Sequence, residues 1–343
     1  MQDTYRLEDF AAPSSTAPTR AGARKLPRRL RGVLSLDDFE AAARRFLPHP
    51  IFAYVSGGCE TDRSLRANRE AFERHAWVTR VLQNTSGRSL RTSLLGHEYA
   101  APFGIAPMGI SALSAYQGDL VQARAARAAN VPMILSGTSL IAMERIAKAN
   151  PDAWFQAYVP GETERIHKLL DRVEAAGFGT LVVTVDTPVS GNRENNIRAG
   201  FSTPLRPGVS LAWQGITHPG WLFGTALRTL VRHGMPHFEN SQATRGAPIL
   251  SSTVMRDFGA RDHLSWEHLA LIRRRWQGRL VVKGVLHPQD AVAARDHGAD
   301  GVILSNHGGR QLDGAVSPMR MLPAPAAALG PGYPLVIRSG FRR

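Results

Sequence analysis

The chain has 343 residues, 43% of them hydrophobic and 20% charged, which is enough apolar material for a sizeable core and excludes a disordered chain or a small disulfide module. The only cysteine, Cys59, cannot form an internal disulfide or build a cysteine-rich metal site, and it fits a reducing, cytoplasmic compartment. The net charge of +14 is almost all arginine, the lysines being Lys25, Lys148, Lys168 and Lys283; with no zinc finger, helix-turn-helix cue or aromatic–basic repeat beside it, this charge does not point to a nucleic-acid partner.

Residues 1–34 read as a basic flexible tail, rich in Pro, Ser, Thr and Ala with Arg20, Arg24, Lys25, Arg28, Arg29 and Arg31 clustered. It lacks the apolar segment of a secretory signal, and no run in the chain reaches membrane-spanning length. Order is expected from Ser35, a cap for the helical period of Leu36, Phe39 and the alanines that follow, and residues 35–100 are expected to form a helical extension.

From about residue 101 short apolar runs alternate with alanine-rich amphipathic stretches, the pattern of strand–helix units around a parallel sheet. Seven strands are predicted, over 102–108, 131–136, 153–159, 180–186, 279–285, 301–306 and 333–339. A doubly wound sheet should show G-x-G-x-x-G after its first strand, and FGIAPMGISAL does not supply it. Polar residues instead gather at one end of the strands: Ser136, Gln156, Tyr158, Thr184, Asp186, Lys283 and His307. In an α/β (β/α)8 TIM barrel that end is the active-site face, so residues 101–343 are assigned to a barrel. Between the fourth and fifth strands an insertion of about 187–264 carries Trp213, Trp221, Leu222, Phe223, Leu227, Leu230 and Val231 with Arg228, Arg232 and His233. Its aromatic, basic and amphipathic character suits either membrane contact or a lid.

The motif GVILSNHGGRQLDG delivers His307 into a Gly-Gly turn as a candidate base, with Arg310 able to grip a carboxylate through a two-pronged hydrogen bond. In TLVVTVDTP, Asp186 is a candidate partner that orients and stabilises a protonated His307. Lys283, in the otherwise apolar LVVKGV, requires an anionic partner from the protein or a cofactor.

The stretches IAPMG, FQAYV, TVDTP, VVKGV and SNHGGRQLD, in this order, resemble the FMN-dependent α-hydroxy-acid dehydrogenases and oxidases from about Leu47 to the last residue. The resemblance implies FMN as cofactor and oxidation of a small L-2-hydroxy acid, L-lactate first, to the 2-oxo acid. His307 would remove a proton, from carbon or from oxygen, with Asp186 as its partner. Tyr54, Tyr158, Arg193 and Arg310 would bind the substrate. Pro107, Met108, Gly109, Ser136, Gln156, Thr184, Lys283, Ser305 and Arg342 would contact FMN, Lys283 beside the pyrimidine ring and Arg342 at the phosphate. Electrons would pass to a quinone, a cytochrome or oxygen. The insertion would give peripheral contact with the inner face of the cell membrane, and a complete barrel would assemble as a tetramer. Two departures stand out. Arg338 occupies a position where the family has an Asp that bonds the ribityl chain. The sequence also stops at Arg343, before the family's eighth strand–helix unit and Gly-Arg turn, which gives the alternative expectation of a truncated, non-catalytic remnant unable to retain FMN.

Overall fold

A computed structural model describes residues 31–202, 206, 208–251 and 261–342. The tail expected over 1–34 lies outside them except for its last four residues. Three helices follow, Asp38–Phe46, His49–Ser56 and Arg63–Glu73. The first starts later than the cap expected at Ser35: the Asp38 carboxylate instead accepts the backbone N–H groups of Leu34 and Ser35, at 2.7 Å each. The expected helical extension is helical only to Glu73. After an irregular stretch it ends in an antiparallel hairpin, β1 (Thr92–Leu94) and β2 (His97–Tyr99). This hairpin was hidden by its three-residue strands and by the polar composition of TSLLGHEY.

The centre is a six-stranded parallel sheet in sequential order: β3 (Ile134–Ser136), β4 (Trp154–Ala157), β5 (Thr180–Thr184), β6 (Arg279–Val285), β7 (Gly301–Leu304) and β8 (Leu335–Ile337). Strands buried on both faces read as continuous apolar runs, which is why they are conspicuous in the sequence. The strand expected over 102–108 is reduced to one parallel bridge, Ile105 to Met133. Pro102 and Pro107 each lack an N–H and cannot extend the ladder. Helices Gly118–Ala129, Met143–Ala149, Thr163–Ala175, Trp266–Arg275 and Pro288–Asp296 connect the strands where the alanine-rich stretches predicted them. With Ile105 the described residues fill seven strand positions of a partial (β/α)8 barrel.

Alternation along the strands divides the core in two. Leu135, Phe155, Leu181, Val183, Leu280, Val282, Val302 and Leu304 pack outward against the helices. Ile134, Trp154, Val182, Val281 and Ile303, with Val336, form a separate apolar cluster inside the barrel, and Leu94 and Leu95 of the hairpin pack against it from below. Trp154 Nε1 donates to the Tyr99 hydroxyl at 3.2 Å, so the hairpin is tied to this floor.

The insertion contains helices Glu194–Arg198 and Val209–Thr217 and a continuous run over 219–233 with a wider π turn at Leu222–Ala226. Its apolar residues point two ways. Trp221 and Leu222 pack on Leu47, Ile51 and Phe52 of the amino-terminal helices, and Trp221 Nε1 donates to the Leu113 carbonyl at 2.7 Å. Trp213, Ile216, Phe223 and Val231 face solvent.

Phe155 is fully buried and packs against Phe178 with ring centroids 5.6 Å apart. Phe155→Ala is expected to lower unfolding stability by about 3–5 kcal/mol, measured as a reduced urea midpoint.

Candidate active site

Two residues above the apolar floor, each interior-facing strand position becomes polar. Ile134 gives way to Ser136, Trp154 to Gln156, Val182 to Thr184, Val281 to Lys283, Ile303 to Ser305 and Val336 to Arg338. Register puts Ser136 beside Gln156 and Thr184 beside Lys283. Ser136, Gln156, Thr184, Lys283 and Ser305 are all at most 2% exposed, yet Gln156 Nε2, Thr184 Oγ1 and Lys283 Nζ have no hydrogen-bond partner. A ring of buried donors is thus aimed at one space. At its rim Pro107 receives a 3.2 Å hydrogen bond from Arg338, and Met108 is half exposed. Gly109 lies so close to Thr138 that a Cβ would sit 2.3 Å from the threonine hydroxyl.

His307 enters through a tight turn. It has φ +55° and is followed by Gly308 at +70° and Gly309 at +72°, three consecutive left-handed residues of which the non-glycine one is uncommon. Its backbone N–H donates to Ser305 Oγ at 3.0 Å. No side chain fits at Gly309, where a Cβ would lie 2.5 Å from the Leu65 backbone nitrogen. Asn306 locks the turn to the helix Arg63–Glu73 by exchanging amide hydrogen bonds with Asn68 at 3.0 and 2.8 Å.

The His307 ring is held by Asp186, whose Oδ1 accepts from Nδ1 at 2.8 Å; this leaves Nε2 to face the mouth, 3.5 Å from the Tyr158 hydroxyl. Asp186 Oδ2 faces Lys283 Nζ at 3.6 Å. A Cβ on Gly284 would come within 2.6 Å of Asp186, and Gly284 has φ +112°, so glycine is what lets the end of β5 approach β6 where its register with β7 shifts between Lys283 and Val285. Arg310 lies over the Tyr54 ring at 5.0 Å and donates to the Gly57 carbonyl. Arg193 donates to the Arg310 carbonyl at 3.1 Å. Tyr54, Tyr158, Asp186, Arg193, Lys283, His307 and Arg310 therefore converge.

Arg342 is not brought there: it pairs with Asp37 at 3.7 Å on the amino-terminal segment. Two further arginines do reach the mouth. Arg338 lies in the interior ring, a direction that alternation from Val336 would have indicated. Arg261 lies 5.0 Å over the Tyr158 ring, and no periodicity in the insertion signalled it.

Burial governs the electrostatics. It lowers His307 to about 4, helped by the Lys283 charge and opposed by Asp186, so the imidazole is neutral and able to take a proton at neutral pH. Burial also brings Lys283 down to about 8 against the pull of Asp186. For Asp186, burial acts upward, but Lys283 and the His307 hydrogen bond outweigh it and keep the carboxyl below its usual range. Tyr158 is raised to about 12 by burial and by Asp186, and remains a hydroxyl donor.

The family described as FMN-dependent dehydrogenase matches residues 43–343. L-lactate dehydrogenase of Pseudomonas aeruginosa (strain LESB58) is 40% identical over 309 residues, covering 89% of this chain and 80% of the relative. The L-lactate dehydrogenase of Serratia proteamaculans is 38% identical over the same shares. A crystal structure of the monotopic membrane protein (S)-mandelate dehydrogenase is similar, with a TM-score of 0.82 and 34% identity over 91% of this chain and 82% of that one. One of mandelate oxidase has a TM-score of 0.70 and 33% identity over 90% and 79%.

The residues present fit FMN. Its pyrimidine ring offers carbonyl acceptors and one N–H, and the orphaned buried donors Gln156 Nε2, Thr184 Oγ1 and Lys283 Nζ supply what such an edge needs, since an unmet buried polar atom is costly.

Folding keeps His307 neutral down to about pH 4, whereas an unfolded histidine protonates near 6.5. Between these values the unfolded chain binds the extra proton, so stability falls as pH drops, by at most ~3 kcal/mol from this group. Urea midpoints measured from pH 7 to pH 4 should decline, and His307→Gln should flatten that decline.

Proposed function

We propose that this chain, which belongs to the FMN-dependent dehydrogenase family, oxidises L-lactate to the 2-oxo acid, with His307 as base and electrons passing to a quinone, a cytochrome or oxygen. The single observation that carries this reading is the placement of His307, held at Nδ1 by Asp186 with Nε2 turned to the mouth beside the Tyr158 hydroxyl. L-lactate is favoured over other 2-hydroxy acids because relatives at 38–40% identity bear that name, against 33–34% for the mandelate-acting structures.

Arg310 and Arg193 are the carboxylate contacts in this reading, and the Tyr54 and Tyr158 hydroxyls bond the substrate hydroxyl and carboxylate. His307 Nε2 takes a proton from the bound acid, and Asp186 then faces an imidazolium, which its charge stabilises. FMN, when bound, supplies a two-electron acceptor. Ser136, Gln156, Thr184, Lys283 and Ser305, with the backbone of Pro107, Met108 and Gly109, would hold it. This reading leaves out Arg342, which pairs with Asp37 at 3.7 Å.

Purified chain supplemented with FMN should show flavin absorption that L-lactate bleaches under anaerobic conditions, faster than (S)-mandelate does. His307→Ala should keep the oxidised spectrum and slow bleaching by about 10²–10⁴-fold. Failure to take up FMN, or unchanged bleaching in His307→Ala, would overturn the reading.

A peripheral membrane position belongs to the same proposal. Among the described residues no helix is long and apolar enough to cross a membrane. The insertion nevertheless exposes Trp213 at 62%, Phe223 at 66% and Val231 at 84% beside Arg228 and Arg232, a combination suited to an anionic lipid surface. The protein should co-sediment with vesicles containing anionic lipid, and the triple variant Trp213→Ser, Phe223→Ser, Val231→Ser should release it without altering bleaching by L-lactate.

A further inference from the structure

Arg338 is a cation without a counter-ion. It follows β8, its backbone N–H bonds the Leu304 carbonyl at 3.0 Å, and alternation from Val336 turns its side chain into the polar ring. There one guanidinium nitrogen donates to the Pro107 carbonyl at 3.2 Å. Among the described residues no carboxylate lies within ion-pair distance of it, whereas Lys283 has Asp186 at 3.6 Å. A guanidinium has five donors, and a partly buried cation whose side chain bonds one carbonyl favours an anion beside it. Its charge is felt at Asp186, Lys283, His307 and Tyr158, which locates it among the reacting groups rather than at the barrel's outer edge.

The chemistry of the site names the anion. A 2-hydroxy acid that becomes a 2-oxo acid loses two electrons and two protons. With one proton held on His307 Nε2, a bound flavin would receive both electrons and the other proton and would carry one more negative charge than before. We propose that Arg338 is a second cationic contact for FMN, acting with Lys283 to favour the reduced, anionic form over the oxidised one. This inference rests on the FMN reading above and assigns a role to a residue where the resembled family carries an Asp.

The test is the ratio of affinities for reduced and oxidised FMN, read as the midpoint potential of the bound flavin by dye equilibration, with FMN uptake followed by fluorescence quenching. Arg338→Met should lower that ratio at least tenfold, a fall of about 30 mV for a two-electron couple. Arg338→Lys, which keeps the charge and guards against a folding defect, should recover at least half of the fall. An unchanged potential in Arg338→Met, with FMN bound, would overturn the inference and leave the FMN reading standing. Tighter FMN uptake by Arg338→Asp than by the unaltered chain would show that Arg338 obstructs the flavin, which also overturns it. Failure of the unaltered chain and all three variants to take up FMN would instead defeat the FMN reading itself, and the inference with it.

Discussion

One carboxylate holds the interior of this barrel together. Lys283 is 1% exposed, and an ammonium so placed is tolerable only beside a negative charge. Asp186 supplies it through Oδ2, while Oδ1 fixes the His307 ring. Because the same side chain serves both the Lys283 ammonium and the His307 imidazole, the closeness of β5 to β6 decides whether that imidazole points at the mouth. That closeness is permitted at Gly284, where any side chain would collide with Asp186. A backbone detail of the sheet is therefore converted into the direction of an imidazole.

A second constraint comes from outside the barrel. The left-handed turn at 307–309 is stabilised by contacts with the amino-terminal segment: Asn68 bonds Asn306, Gly309 accepts from the Cys59 backbone at 2.9 Å, and Asp313 accepts from Thr61 Oγ1 at 2.6 Å. The same segment brings Tyr54 under Arg310. The extension before the barrel is thus a wall of the mouth rather than an appendage, consistent with the family match beginning at residue 43, well before the first strand position.

Much of this was legible in the sequence, and the gaps have physical causes. Strands buried on both faces announce themselves as apolar runs, so β3 to β7 fall within the expected spans. The polar residues ending them were visible for the same reason, since each interrupts such a run. Pro102 and Pro107 suppress pairing that composition alone suggested at 102–108. Arg261 reaches Tyr158 only through the path of the insertion, which has no repeating pattern to read. Among the arginines after β8, the resemblance puts Arg342 at the phosphate, whereas the two-residue period from Val336 turns Arg338 inward and Arg342 lies beside Asp37.

The arginine surplus divides into two populations with different consequences. On the helices, Arg172 pairs with Glu144 and Arg275 with Asp171 and Glu174; surface pairs of this kind contribute little to stability. At the barrel mouth, Lys283 and Arg338 act on Asp186, Arg261 lies over Tyr158, and Arg310 lies over Tyr54 with Arg193 bonded to its carbonyl. Burial lowers the proton affinity of Arg261, Arg310 and Arg338, which means that their charge works against the folded state. An anion that enters the mouth relieves that cost, and whatever binds only the folded chain stabilises it by mass action. In the proposed function the same cations would favour a carboxylate beside an electron-rich ring, and affinity for anionic ligands and the stability of the barrel would then be two expressions of one charge imbalance.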